Sequence, residues 1–182
     1  MPVDDILVHP RDNDLIVGTH GRSIWIIDDI APLQQLANAV PADDVTLFAP
    51  RNAVAWRNDT TLSQTVGGNK YFRGENPQPG TAISYYLKAA PSGDVKLTIL
   101  DIQGKVVSEL TPAKEAGLNR VQWTLRRGAV PAAGAGGRGG QGGGGGRGGF
   151  GGASVEAGTY LVKLTVNGKD YTQKVAVEPD TF

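Results

Sequence analysis

Apolar and polar residues alternate along most of this chain, the period-two pattern of β-strands with one buried face. The clearest case is Asp94-Val95-Lys96-Leu97-Thr98-Ile99-Leu100-Asp101, where Val95, Leu97 and Ile99 share a face. Gln103-Gly104-Lys105 predicts a tight turn, and Val106-Val107-Ser108-Glu109-Leu110 the return strand. Further strands are predicted over residues 81–88, 119–125 and 159–166, with Val121, Trp123 and Leu125 inward in the second. Asn167-Gly168 is a strong two-residue hairpin signal and predicts that residues 171–177 pair back. Strands at this spacing point to a β-sandwich.

The first thirty residues follow a different rhythm. Ile6-Leu7-Val8, Leu15-Ile16-Val17-Gly18 and Ser23-Ile24-Trp25-Ile26-Ile27 are short apolar runs. The last two are joined by Thr19-His20-Gly21-Arg22, which reads as a hairpin with Gly21 at a positive φ. Three antiparallel strands over 6–27 are predicted. Without an opposing layer such a meander cannot bury both faces. It is therefore expected to belong to a larger β-structure, and in the isolated chain either to dock on the sandwich or to self-associate. Between the two regions, Pro32 to Ala37 reads as a helix of about two turns, with Leu33, Leu36 and Ala37 on one face. Residues 41–80 read as mostly irregular.

Composition changes this picture in one place. Of 26 glycines in 182 residues, 15 fall in the block 128–153, which reads as a disordered loop inserted into the sandwich. The remainder has the ordinary glycine frequency of about 7%. Eighteen basic residues balance 18 acidic ones, so no net field draws the chain to nucleic acid or an anionic membrane. With no Cys, disulfides and thiolate chemistry are excluded. No apolar run is long enough to span a bilayer. The start, Met1-Pro2-Val3-Asp4-Asp5, lacks the features of a secretory leader. Together with the incomplete meander, this suggests that the native start lies upstream.

Val8-His9-Pro10, followed by Gly18-Thr19-His20-Gly21-Arg22 and Trp25, resembles the closing blade of bacterial BNR/sortilin-like β-propeller proteins. Residues 81–178 resemble the Ig-like carboxy-terminal module of such proteins. The matching pieces are Asp101-Ile102-Gln103-Gly104-Lys105, Gly117-Leu118-Asn119-Arg120-Val121-Gln122-Trp123 and Ala157-Gly158-Thr159-Tyr160. The resemblance implies a secreted or cell-envelope protein in which a propeller precedes a sandwich. Only one incomplete blade is present, and the Asp-box motif of BNR repeats does not occur. Some members are labelled glycosyl hydrolases by analogy with sialidases, but no catalytic residue can be carried onto this chain. Tyr160 after Gly158-Thr159 resembles the tyrosine corner of Ig-like sandwiches, a structural role.

Candidate chemistry is sparse. His9 and His20 with Asp4, Asp5, Asp28 and Asp29 have no ligand spacing that calls for a metal. The adjacent pairs Asp4/Asp5, Asp28/Asp29 and Asp43/Asp44 are poorly placed for glycosidase work, because strand neighbours point to opposite faces. Neither a nucleophile elbow nor a phosphate loop is present. Arg138-Gly139-Gly140 and Arg147-Gly148-Gly149-Phe150 resemble RNA-binding RGG segments, but two charges supply little counterion release. Trp56, Tyr85 and Tyr86 are the candidate binding residues for a glycan: Trp56 as an exposed aromatic beside Arg57 in an irregular stretch, and Tyr85 and Tyr86 because they face opposite sides of one strand, which turns one of them outward.

The resulting expectation is an all-β chain: an incomplete propeller-blade meander (1–30), a connector (31–80), and an Ig-like antiparallel β-sandwich (81–178) carrying the loop 128–153. The expected function is that of a non-catalytic structural or binding module. It would pack on the remainder of the propeller protein and contact a protein or glycan, with no cofactor, no metal, no nucleic acid and no membrane span. The competing readings are a fragment of a glycoside hydrolase-like enzyme with its catalytic blades absent, and weak nucleic-acid binding through the RGG-like loop.

Overall fold

The computed structural model describes residues 2–38, 44–56, 78–129 and 153–181. As the alternation predicts, the chain is mostly strand. It runs β1 (Val3–Val8), β2 (Leu15–Thr19), β3 (Ile24–Ile27), the helix α1 (Ala31–Asn38), β4 (Val45–Leu47) and β5 (Ala53–Ala55). Then follow β6 (Thr81–Leu87), β7 (Val95–Leu100), β8 (Val106–Leu110), β9 (Gly117–Trp123), β10 (Gly128–Ala129), β11 (Gly158–Val166) and β12 (Lys169–Pro179). Three sheets form, in the orders β1-β2-β3, β10-β8-β7-β11-β12-β5 and β4-β6-β9.

The second and third sheets make a two-layered sandwich. Ile83, Tyr85 and Leu87 of β6 and Trp123 of β9 share one core with Leu97 and Ile99 of β7, Val162 and Leu164 of β11, and Val175 of β12. These are the residues that the period-two pattern turns inward, each at or near zero exposure. Turn chemistry sets the register. Asn167 (φ 50°) and Gly168 (φ 81°) both take the left-handed conformation, so β11 and β12 pair from Val166–Lys169 outward without a slip. Gly104 (φ 81°) turns β7 into β8, and Asp101 Oδ1 accepts the N–H groups of Gln103 and Lys105 at 2.9 Å. Trp123 and Tyr160 meet edge to face, centroids 5.5 Å apart. Tyr160 donates its hydroxyl to the Glu156 carbonyl at 2.8 Å, the corner bond expected of it.

The boundary at residue 81 moves. Residues 45–55, read as irregular connector, supply two sandwich strands: β4 pairs antiparallel with β6, and β5 pairs parallel with β12. The sandwich thus starts at Val45. It is not wholly antiparallel either, since β10 also joins β8 in parallel. Each of these strands is only two or three residues long, too short for a period to show. Apart from its two ends, the Gly-rich loop lies outside the described residues, and Arg138, Arg147 and Phe150 with it.

Candidate functional site

The meander β1-β2-β3 forms as predicted, with Gly21 at φ 71° in its second turn. Residues directly opposite each other in an antiparallel pair share a face. The register therefore sorts the side chains. One face carries Ile6, Val17 and Trp25 in one row and Val8, Leu15 and Ile27 in the next. The other carries Leu7, Ile16 and Ile26, then Asp5, Gly18 and Ile24. Both faces are apolar, the composition of a sheet that is covered on both sides.

Among the described residues, no element covers either face. Ile6 is 60% exposed on the first face with Trp25 at 58%, and Ile24 is 68% exposed on the second with Ile26 at 60%. Of the two fates expected for the isolated meander, docking of a face on the sandwich does not occur among the described residues. A contiguous apolar surface of this kind on a water-facing sheet marks an interaction site.

The meander is instead tied to the sandwich by polar contacts near its ends. Arg51 Nη1 donates to the Asp12 carbonyl (2.9 Å) and lies 3.2 Å from Asp14 Oδ1. Asp14 Oδ1 also accepts the Asp29 N–H (2.9 Å), and the Ile30 N–H bonds to the Asn13 carbonyl (3.0 Å). From β9, Arg120 Nη1 donates to the Asp28 carbonyl (3.0 Å). The helix adds a bracket: Gln35 exchanges two bonds with the backbone of Ala49, and Gln34 two with the side chain of Asn13. An open cleft of about 420 Å³ lies at this joint, lined by Asp28, Asp29, Arg51, Thr81, Arg120 and Gln122 among others. Many of its polar groups are already engaged. Thr81 Oγ1 donates to the Arg51 carbonyl (2.7 Å), and Gln122 Nε2 to the Pro79 carbonyl (3.0 Å). The cleft is a joint whose hydrogen bonds hold two β-structures together.

The three predicted binding aromatics are not brought together as a platform. Trp56 is 62% exposed, just past β5. Tyr86 is half-buried on β6. Tyr85 is corrected: it is fully buried, in phase with Ile83 and Leu87, and its hydroxyl donates to the Ala113 carbonyl at 2.6 Å. Burial pushes its phenol up to about 12. It is a core residue and cannot meet a ligand at the surface.

The histidines and paired carboxylates have local work. His9 Nδ1 accepts the Asp12 N–H (3.2 Å) in the first turn, and His20 Nδ1 lies 3.3 Å from Asp4 Oδ2. The Arg11 guanidinium holds the Asp12 carboxyl below its ordinary value. Asp29, at φ 52°, accepts the Ala31 N–H on Oδ1 and turns the chain into α1. Asp5 Oδ1 accepts the N–H of Ile6 (2.8 Å). Asp43 lies outside the described residues. Among the described residues, no group of three His, Cys, Asp or Glu side chains is placed to hold a metal ion, and no helix is long and apolar enough to cross a membrane.

Comparison with protein families, curated proteins and solved structures finds no match for this chain. The site therefore rests on its own geometry. Sequence reasoning missed Arg51, Asp14 and Arg120, which form the joint. Single charged residues 37 or more positions apart carry no spacing signal that would have linked them.

Proposed function

We propose that this chain is a non-catalytic structural and binding module of a secreted or cell-envelope propeller protein. In this reading β1-β2-β3 is part of the closing blade, residues 45–178 are an Ig-like module packed behind it, and the joint at Arg51 and Arg120 fixes one to the other. The observation that carries the proposal is the meander, apolar on both faces and uncovered on both among the described residues. A sheet flanked on each side by another sheet has this composition, and stacked blades supply that environment. The exposed Trp56 and the half-buried Tyr86 are the remaining aromatics for contact with a glycan or protein.

The test is amide hydrogen exchange on two samples: the gene product isolated from its host, and the 182-residue chain. The reading expects a host product several times the 19.1 kDa of this chain, with residues 3–27 protected there to the level of β11 and exchanging faster in the short chain. A host product near 19.1 kDa, or equal exchange over 3–27 in both samples, overturns it.

A further inference from the structure

The first turn of the meander carries most of the joint. Arg51 bonds to the Asp12 carbonyl, the Ile30 N–H to the Asn13 carbonyl, Gln34 to the Asn13 side chain, and the Asp29 N–H to Asp14 Oδ1. His9 closes this turn with three bonds. Its N–H donates to the Asp14 carbonyl (2.8 Å), its carbonyl accepts the Asn13 N–H (2.9 Å), and its Nδ1 accepts the Asp12 N–H (3.2 Å). The third bond differs from the other two. Nδ1 accepts an N–H only while it carries no proton, so the neutral ring bears its proton on Nε2. The same Nδ1 lies 3.1 Å from Asp12 Oδ2. A bare Nδ1 and a carboxylate oxygen have no proton to share, whereas a protonated Nδ1 bonds to that oxygen and repels the Asp12 N–H. One atom thus faces a backbone donor and a carboxylate, and its proton decides between them. The bond from Arg11 holds the Asp12 carboxyl below its ordinary value, so the carboxylate is ionised when imidazole takes its proton, at about pH 5 to 8.

We infer that His9 is a proton-operated latch on the joint between meander and sandwich, closed while Nδ1 holds the Asp12 N–H and opened when a proton commits Nδ1 to the Asp12 carboxylate. The charged groups about the ring and Asp12 are Arg11 in the same turn and Arg51 from the segment before β5, with Asp14 paired to Arg51. Both guanidiniums stay charged throughout. Protonation frees the Asp12 N–H and loosens the turn. The neighbouring acceptors of that turn, the Asp12 and Asn13 carbonyls, are the ones that hold Arg51 and Ile30. The Val8-His9-Pro10 motif thus does more than end β1. The latch does not depend on what covers the faces of the meander, so it stands or falls apart from the proposed function.

The test is NMR on the 182-residue chain between about pH 8 and pH 5. At the upper end the His9 ring should be the Nε2–H tautomer, read from its nitrogen shifts. On acidification the protection of the Asp12 amide should fall roughly tenfold, the worth of one hydrogen bond, with the midpoint of the His9 ring. The Asp29 and Ile30 amides should lose protection with the same midpoint, while those of β11 stay constant. His9→Asn places at the same point a side-chain oxygen that takes no proton, and should make all three amides indifferent to pH. Asp12→Asn removes the carboxylate that receives the proton, and should move the His9 midpoint to lower pH. His20 is the internal control. It lies beside Asp4, and among the described residues no backbone N–H meets its ring, so its titration should leave the three amides unmoved. The Nδ1–H tautomer at the upper end overturns the inference, as does a wild-type Asp12 amide indifferent to pH. So does a step confined to Asp12, which would leave the joint outside the latch. A step that persists in His9→Asn, or a His9 midpoint unchanged in Asp12→Asn, overturns it as well.

Discussion

The sandwich and the meander are written in the same apolar alphabet and end in opposite environments. In β7 and β11, apolar residues alternate with Lys and Thr, and each strand has one dry face and one wet one. In β1, β2 and β3 the apolar residues are nearly consecutive, yet none of them is fully buried in this chain. Trp123 and Trp25 state the contrast in one residue type: the first is 0% exposed and the second 58%. The alternating region closes its own core. The continuous region is patterned for neighbours on both sides. Hydrophobic content by itself does not say where a core is, whereas its period says how many faces a strand expects to bury.

The largest way to break the comparison is Trp123→Ala. It removes a fully buried ring at the end of β9 and its edge-to-face contact with Tyr160. A loss of about 3–5 kcal/mol is expected in denaturant unfolding. A loss below about 1 kcal/mol would mean that the sandwich core is not the stabilising centre.

Tyr85→Phe tests the buried polar side of the same core. The hydroxyl bond to Ala113 is lost while the ring stays, at a cost of about 1 kcal/mol. There is also a pH signature. The folded phenol titrates near 12 against an ordinary value of 10.0, so the unfolded chain gives up its proton first as pH rises. Stability from this group is complete below 10.0 and falls between 10.0 and about 12. The wild type should therefore lose stability more steeply than Tyr85→Phe over that range when melting is followed against pH. Parallel slopes would refute the burial.

Arg51→Ala acts on the joint between the two regions. It removes the bond to the Asp12 carbonyl and the ion pair with the half-buried Asp14, while the sandwich core is untouched. The sandwich melt should shift by about 1 kcal/mol or less. Amide exchange over β1-β2-β3 should rise while that of β11 stays constant. Uniform acceleration across both would mean that the two regions unfold as one unit.

The sequence reveals these regions unevenly, for physical reasons. Long strands with a steady period, such as β7 and β11, are plain, and so are turns marked by Gly104 and Asn167-Gly168, because only certain residues adopt the required φ. The helix read over 32–37 is there, at Ala31–Asn38, but its apolar face is not the buried one: Pro32 is buried and Leu33 exposed. Strands β4 and β5 are hidden: they exist through pairing with partners far along the chain, such as Ala53 with Val177. Tyr85 was misread although the signal was present, since Ile83, Tyr85 and Leu87 keep one phase. The joint at Arg51, Asp14 and Arg120 could not be read, because only the folded chain brings isolated charges together. The apolar runs of the meander were legible as strands. That neither face is covered among the described residues became visible only once the register assigned each side chain to a face.

The smallest effect expected on stability sharpens the comparison most. Trp25→Ala removes a ring of the same type as Trp123, but one that is mostly exposed and holds only a 3.2 Å bond from its Nε1 to the Arg22 carbonyl. Little surface returns to water, so the unfolding free energy of the short chain should change by less than about 0.5 kcal/mol. Solution behaviour should change instead. A bare apolar sheet associates, and loss of its largest side chain should shift the chain toward monomer in a sedimentation series. If Trp25→Ala destabilised the chain as much as Trp123→Ala, the meander would already have a buried partner within this polypeptide. The contrast between a closed core and an open sheet would then fail.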